Sequence, residues 1–382
     1  MGNSSGASRL LPLHALRPRL SHPESRPVPG PCGGSRRFLS APRATIAQRA
    51  AIFPGAVLCA GSAGCGPTGS GLAVAGSPGS AARFYPGLHM HRRQALILTL
   101  AAAWQACGQA RRSEFNARTA LRHAQRATAF GPRPPGSPAL NQLRGYILSE
   151  LEKTGCQILR DRFTAQTPLG PIEMENLIAR FPGTSGRAVA VSGHYDTKWM
   201  PDIEFVGAND GGSSTGFLLE LARAISGLKF RNDILVVFFD GEESFGPWSD
   251  KDGVYGGRHL AERWASDGTL ARLKALINVD MIGDRDLGIV REMNSTAWLR
   301  DLVWQTAAEL GLRRYFLDQP GWIEDDHVPF LRRGASAVNL IDFEYGPNNS
   351  YWHTEQDTPD KLSADSFEVV GRVVLEVLRK LD

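Results

Sequence analysis

Disulfide chemistry has little to work with in this sequence. Of 382 residues, five are cysteine, at positions 32, 59, 65, 107 and 156, and no two form a Cys-x-x-Cys pair. That excludes a cysteine-ligated zinc module and a thioredoxin-type redox motif. Lysine is absent from residues 1–89, and Glu24 is their one acid against nine arginines, so this segment carries +8. The whole chain is only +4, which leaves −4 for everything after it. A nucleic-acid-binding protein is therefore not indicated, because the basic excess belongs to one atypical segment. Internal repeats are also missing.

Residues 1–89 are rich in Gly, Pro, Ala, Ser and Arg and cannot bury enough apolar surface to offset chain entropy. A new pattern begins at Met90-His91-Arg92-Arg93, continues through the apolar run from Ala95 to Trp104, and ends near Gln105-Ala106-Cys107-Gly108. A basic start, an apolar run too short for a membrane span and a small-residue end make a secretory signal. We expect Met90 to be the natural start, residues 1–89 to be disordered upstream sequence, and 90–107 to be a signal peptide that sends the product to the periplasm or outside the cell. Ala106-Cys107-Gly108 also has the form of a lipoprotein box, with Trp104 where leucine is usual, so membrane contact is expected only through a lipid on Cys107. An organellar transit peptide is the competing reading, since the first segment is Arg-rich, Ser-rich and poor in acids. Residues 108–136, closing in Pro134-Pro135-Gly136, read as a linker or loosely docked arm, and 137–382 as the folded catalytic domain.

From Ser137 onward the periodicity becomes regular. Leu140, Leu143, Ile147, Leu148 and Leu151 recur at helical spacing. Strands are predicted at 157–165 and 173–181, joined by a Pro/Gly turn. Apolar strands at 188–192, 234–239, 276–281 and 335–341 then alternate with helices at 213–225, 256–264, 295–310 and 363–381. This predicts an α/β sandwich around a mostly parallel sheet, with sites forming beyond the carboxyl ends of the strands.

The chemistry is densest where the apolar run from Ile234 to Phe239 breaks into Asp240-Gly241-Glu242-Glu243. Acids at the end of a buried strand are costly unless they bind a cation or hold a proton. Neighbouring glutamates on an extended backbone point apart, so one can bind metal while the other faces substrate. A solvated loop pair is the ordinary alternative. His194 and Asp196 in Gly193-His194-Tyr195-Asp196 share a face, which lets the carboxylate orient the imidazole. Asp210 precedes a helix and reads alone as an N-cap, beside the other acids as a ligand. Asp280 ends a buried strand, and His353 follows Trp352 in an Asn-rich region. Together these form a site of the N/O type that zinc prefers.

These residues resemble the co-catalytic zinc aminopeptidase superfamily over roughly 137–382, and within it the animal-type glutaminyl-peptide cyclotransferases. The specific stretches are Asp240-Gly241-Glu242-Glu243-Ser244-Phe245 with Trp248, Tyr255-Gly256-Gly257-Arg258-His259, the sixteen-residue block from Gln319 through Trp322-Ile323-Glu324-Asp325-Asp326-His327 to Gly334, and Trp352-His353-Thr354. The resemblance implies a three-layer sandwich with a mixed, mostly parallel sheet flanked by helices. It implies one zinc on Asp210, Glu243 and His353, Glu242 as acid/base with Asp280 and Asp325 as its partners, and Trp248, Trp352 and Ile323 lining the substrate pocket. His194 and Asp280 match the aminopeptidases' second-metal ligands. Two departures are visible: Asn339 stands where the cyclases have histidine, and Gly193 where they have a disulfide cysteine.

The implied activity converts the N-terminal glutamine of a peptide or protein to pyroglutamate with release of ammonia, in a monomer, with a narrow cavity closed by Trp248 and Trp352. The rival is a di-zinc aminopeptidase that hydrolyses N-terminal residues with two zinc ions bridged by Asp210. A non-catalytic binding domain would have lost Glu242 or a ligand, and none is lost. N-terminal sequencing of the natural protein is expected to find a mature chain that does not start well before residue 100; an earlier start defeats the signal-peptide reading.

Overall fold

The computed structural model describes residues 115–382. The expectations for 1–89, for the signal segment 90–107 with Cys107, and for 108–114 lie outside the described residues. In chain order the main elements are α1 (Ala117–Thr128), α2 (Pro138–Glu152), β1 (Gln157–Thr167), β2 (Gly170–Phe181), β3 (Ala188–His194), α3 (Gly212–Ile225), β4 (Asp233–Phe239), α4 (Tyr255–Ser266), β5 (Leu273–Asp280), β6 (Ile289–Glu292), α5 (Ala297–Glu309), β7 (Phe316–Gly321), β8 (Ala337–Ile341) and α6 (Ala364–Leu381).

Six strands form one sheet in the order β1-β2-β4-β3-β5-β8. The pairs β4/β3, β3/β5 and β5/β8 are parallel, while β1/β2 and β2/β4 are antiparallel. The strands β3 and β4 are buried along their whole length, as their continuous apolar character requires of strands covered on both faces. One face carries the larger core, in which Leu143, Phe217, Val303 and Val374 from α2, α3, α5 and α6 meet Val191, Val236 and Ile277 of the sheet. The other carries a smaller core of Val237, Phe239 and Leu276 under Leu260 and Trp264 of α4 and Phe330. The architecture is the expected three-layer α/β sandwich with a mixed sheet.

The segment read as a linker departs from expectation. From residue 115 it is a docked helix. The Asn116 side chain caps α1 by accepting from the Thr119 amide at 3.1 Å. Ala117, Ala120, Ala124 and Ala127 are buried along one stripe. Alanines add little hydrophobicity, so the sequence showed no obvious core face. Their value is steric, because they let α1 approach Gly216 of α3 backbone to backbone. The following Pro-rich turn is anchored too. Arg133 is fully buried and donates to the carbonyls of Tyr195 (3.1 Å), Val206 (2.5 Å) and Gly207 (2.8 Å). Burial lowers its proton affinity to about 10, still high enough to keep it charged at neutral pH. The supposed linker thus fixes the loop that leads to Asp210.

A Cβ at Gly216 would overlap the Ala120 carbonyl oxygen and crowd the Ala124 amide. Alanine gains about 1 kcal/mol of helix propensity over glycine, but forcing the helices apart costs about 1–3 kcal/mol. Gly216→Ala is therefore expected to lower stability, read as a reduced denaturant midpoint; an unchanged or higher midpoint would contradict the α1–α3 packing.

Candidate metal centre and active site

Parallel neighbours β4, β3 and β5 end at the same rim, and each delivers a functional side chain there. His194 is the last residue of β3, Asp280 the last of β5, and the Asp240–Glu243 turn follows β4. Asp210 comes from the loop before α3, and His353 from the loop after β8. His353 itself has φ +53°, and Met281, next to Asp280, has φ +49°. Non-glycine residues in this region are uncommon and cluster where function holds them.

The predicted ligands meet. His353 Nε2 lies 3.0 Å from Glu243 Oε1 and 3.2 Å from Asp210 Oδ2. One atom from each of Asp210, Glu243 and His353 lies within 4.8 Å of the others. An imidazole nitrogen and two carboxylate oxygens, nearly buried and with a cleft on the open side, fit a three-ligand zinc site with one position left for substrate. His194, Asp210 and Asp280 form a second group of the same compactness. In it His194 Nε2 is 3.2 Å from Asp280 Oδ1 and 3.3 Å from Asp210 Oδ1. Asp210 therefore turns one oxygen towards each group. Burial disfavours charge on both Asp210 and His194. The two histidines nevertheless hold the Asp210 carboxyl well below the ordinary range, and Asp196, Asp210 and Asp280 hold the His194 imidazole well above its own.

Backbone amides hold the acids in place. Asp196 accepts from the amides of Glu242 (3.2 Å) and Glu243 (3.3 Å), which fixes the turn carrying both glutamates. Its other neighbour is His194 Nδ1 at 3.5 Å, an ion-pair distance rather than a hydrogen bond, and that nitrogen has no hydrogen-bond partner. Asp357 accepts from the amides of Asn209 (2.8 Å) and Asp210 (3.1 Å) and from the Tyr345 hydroxyl (2.8 Å). Gly211, at φ +77°, stands so close to the Asp196 carbonyl and the His194 ring that no side chain fits.

Glu242 is buried beside this centre. Burial, with Glu243, Asp325 and Asp326 nearby, pushes its proton affinity well above the usual carboxylate range, against the opposing pull of His194. Asp280 is pushed up to about 7, by burial first and by Asp325 and Asp210 next, while His194 opposes. The expected partners are engaged elsewhere: Asp280 with His194, and Asp325 with a set of fixed donors. Asp325 accepts from Asn339 Nδ2 (2.6 Å), Asn278 Nδ2 (3.0 Å) and the Asp326 amide. Asn339 thus supplies the hydrogen bond that the resemblance assigns to histidine. The Gly193 position has no room for cysteine, because a Cβ there would stand 2.6 Å from the Val279 carbonyl oxygen and 2.7 Å from Ser214 Cβ.

Trp248, Trp352 and Ile323 line one cleft of about 630 Å³ with Asp210, Glu242, Glu243 and His353. Trp352 stacks on His353 with ring centroids 4.1 Å apart, and Phe343 packs against the indole in a tilted arrangement at 5.1 Å. The cleft is wider than the narrow cavity expected. Trp248 is 42% exposed and sits at its rim rather than closing it. Sequence reasoning missed Asp357, Arg133 and Lys198, whose ammonium donates to Ser244 Oγ (2.7 Å) and Ser244 O (3.0 Å) and lies 3.5 Å from Glu243. Asp357 lies three residues beyond the Trp352-His353-Thr354 motif, but only the fold reveals that it faces backbone amides.

Peptidase family M28 matches residues 176–378. The chain belongs to this family. It is 32% identical over 271 residues to a glutaminyl-peptide cyclotransferase of Drosophila melanogaster, covering 63% of this chain and 76% of that one. Among solved structures, a glutaminyl cyclase from an Acidobacteriales bacterium superposes with TM-score 0.69 at 40% identity, covering 72% of this chain and 97% of the other. A Zn-dependent exopeptidase from Parabacteroides distasonis superposes with TM-score 0.63 at 27% identity over 69% and 98%. Solved structures named as a cyclase and as an exopeptidase thus both resemble this fold.

Asp357→Ala removes the acceptor that holds the Asp210 amide. Losses of such supporting groups typically weaken metal binding by about 10–100-fold. Chelator competition is expected to read a loss of that size, and unaltered zinc affinity would remove Asp357 from the positioning of Asp210.

Proposed function

We propose that this chain is a zinc-dependent glutaminyl-peptide cyclotransferase, converting the N-terminal glutamine of peptides to pyroglutamate with release of ammonia. The observation that carries the reading is the convergence of Asp210, Glu243 and His353 beside an uncommitted buried Glu242, in a cleft walled by Trp248, Trp352 and Ile323. The cyclase names of the curated relative and of the Acidobacteriales structure support the same choice. Zinc on the three ligands would polarise the side-chain carbonyl of the substrate glutamine.

The remaining work falls to the protein. The substrate's free α-amine attacks its own side-chain amide carbon; a C–N bond forms to close the ring, and the bond to the amide nitrogen breaks. Glu242 takes the proton from the attacking amine and returns it to the departing nitrogen, which leaves as ammonia. A buried carboxylate with raised proton affinity suits both halves of that transfer. Asp325, held by Asn278, Asn339 and a backbone amide, keeps a carboxyl group fixed near Glu242. The indole rings restrict a flexible side chain to a ring-forming pose.

The His194–Asp210–Asp280 group favours a second reading, a di-zinc aminopeptidase with Asp210 as bridging ligand. Its product would be a free amino acid instead of ammonia, and its metal content two ions per chain instead of one. No described helix is long and apolar enough to cross a membrane. Export through the 90–107 leader, lipid on Cys107 and a monomeric state belong to this reading and rest on the sequence.

Glutamine-initiated peptides with the zinc-loaded protein are expected to yield ammonia and pyroglutamyl peptide. Glu242→Gln should lower the rate by about 10²–10⁴-fold while leaving zinc content intact. Release of free amino acids from Leu- or Ala-initiated peptides, with no ammonia from the Gln series, would replace this reading with the peptidase.

A further inference from the structure

The cleft extends past the ligand cluster to an outer wall at β7 and the residues that follow it. Trp322 lines this wall yet is 71% exposed. So large an apolar side chain left in water along a substrate channel is informative where a scattered surface residue would not be, because covering it on binding is favourable. Glu344 lines the same part of the cleft and is exposed. Gln319 Nε2 donates to its carboxylate at 3.2 Å, and among the described residues no lysine, arginine or histidine lies within ion-pair distance of it.

Two other charged groups of the cleft, Glu324 and Lys198, already have partners. Glu324 faces Arg332 at 3.0 Å. Lys198, the one lysine or arginine in the lining, is turned inward to Ser244 and Glu243. The mouth therefore presents an open indole and one uncompensated carboxylate, with further acids deeper in. An indole face and a carboxylate attract the same partner, a cation with an alkyl stem. An acidic side chain would meet only like charge.

We infer that Trp322 and Glu344 form a subsite for a lysine or arginine side chain in the two positions that follow the N-terminal residue of the substrate. This rests on the peptide-processing function proposed above but not on its cyclising chemistry. The cationic side chain lies along the Trp322 ring with its charge towards Glu344, while the N-terminal residue occupies the centre. A contact of this kind at a partly exposed site is worth about three- to tenfold in binding.

The test compares Gln-Arg-Arg-Ala, Gln-Ala-Ala-Ala and Gln-Glu-Glu-Ala amides with the zinc-loaded protein at low salt. The expected order of kcat/KM for ammonia release is basic over neutral over acidic, with about three- to tenfold between the first two. The basic-to-neutral ratio should shrink in Trp322→Ala and in Glu344→Gln and approach one in the double variant. Both residues are on the surface, so folding is not at stake. Calorimetric titration with the corresponding pyroglutamyl peptides reads the same subsite without turnover. Equal values for the three peptides, or a basic preference that survives the double variant, would overturn the subsite. Absence of ammonia from every peptide while the affinity order persists would instead remove the cyclase reading and leave the subsite standing.

Discussion

Negative charge crowded at one edge of a sheet is the constraint on which the rest of this structure turns. Asp196, Asp210, Glu242, Glu243, Asp280, Asp325 and Asp357 are all buried around the ends of three parallel strands. Unpaired, such groups would cost several kcal/mol each. The fold meets the cost with backbone dipoles. Asp196 and Asp357 each accept two successive amides, one pair from the Glu242–Glu243 turn and one from Asn209–Asp210. These two carboxylates bind no ligand themselves; they hold the segments that do. The imidazoles of His194 and His353 take up further charge. The opening left for a divalent ion, the free Glu242 carboxyl and a few orphaned atoms such as His194 Nδ1 then remain.

Holding the ligands in that arrangement demands unusual backbone and close packing. Gly211 and Gly241 turn with positive φ beside Asp210 and Glu242, and Met281 and His353 adopt the same region at a steric cost. The arm before the first strand contributes from a distance, since Arg133 ties the loop preceding Asp210 to the body of the protein through three carbonyls. Geometry at the centre is thus maintained by residues spread over more than two hundred positions of chain.

Much of this was legible in the residues. Apolar runs such as 234–239 identified the central strands, and acids placed at their ends identified the rim. All ten helix and strand segments predicted with ranges agree with the structure to within a few residues, because hydrophobic periodicity survives into the fold wherever an element has one apolar face. Helix α1 was not legible, because a stripe of alanines carries almost no hydropathy signal. Asp357 and Arg133 were not legible for a different reason. Their partners are backbone atoms brought close by tertiary structure, and no side-chain pattern along the chain records that. The width of the cleft was likewise beyond reach, since it depends on how Trp248 sits at the rim rather than on its presence.

The glycine at position 193 has a reach beyond local sterics. It fills the point where β3 passes against the Val279 carbonyl and α3, leaving no space for a thiol. Cys156 is the one cysteine among the described residues, and it is free. The catalytic body consequently contains no covalent cross-link whose formation must await an oxidising compartment. Among the described residues, reaching the native packing therefore calls for no thiol oxidation step.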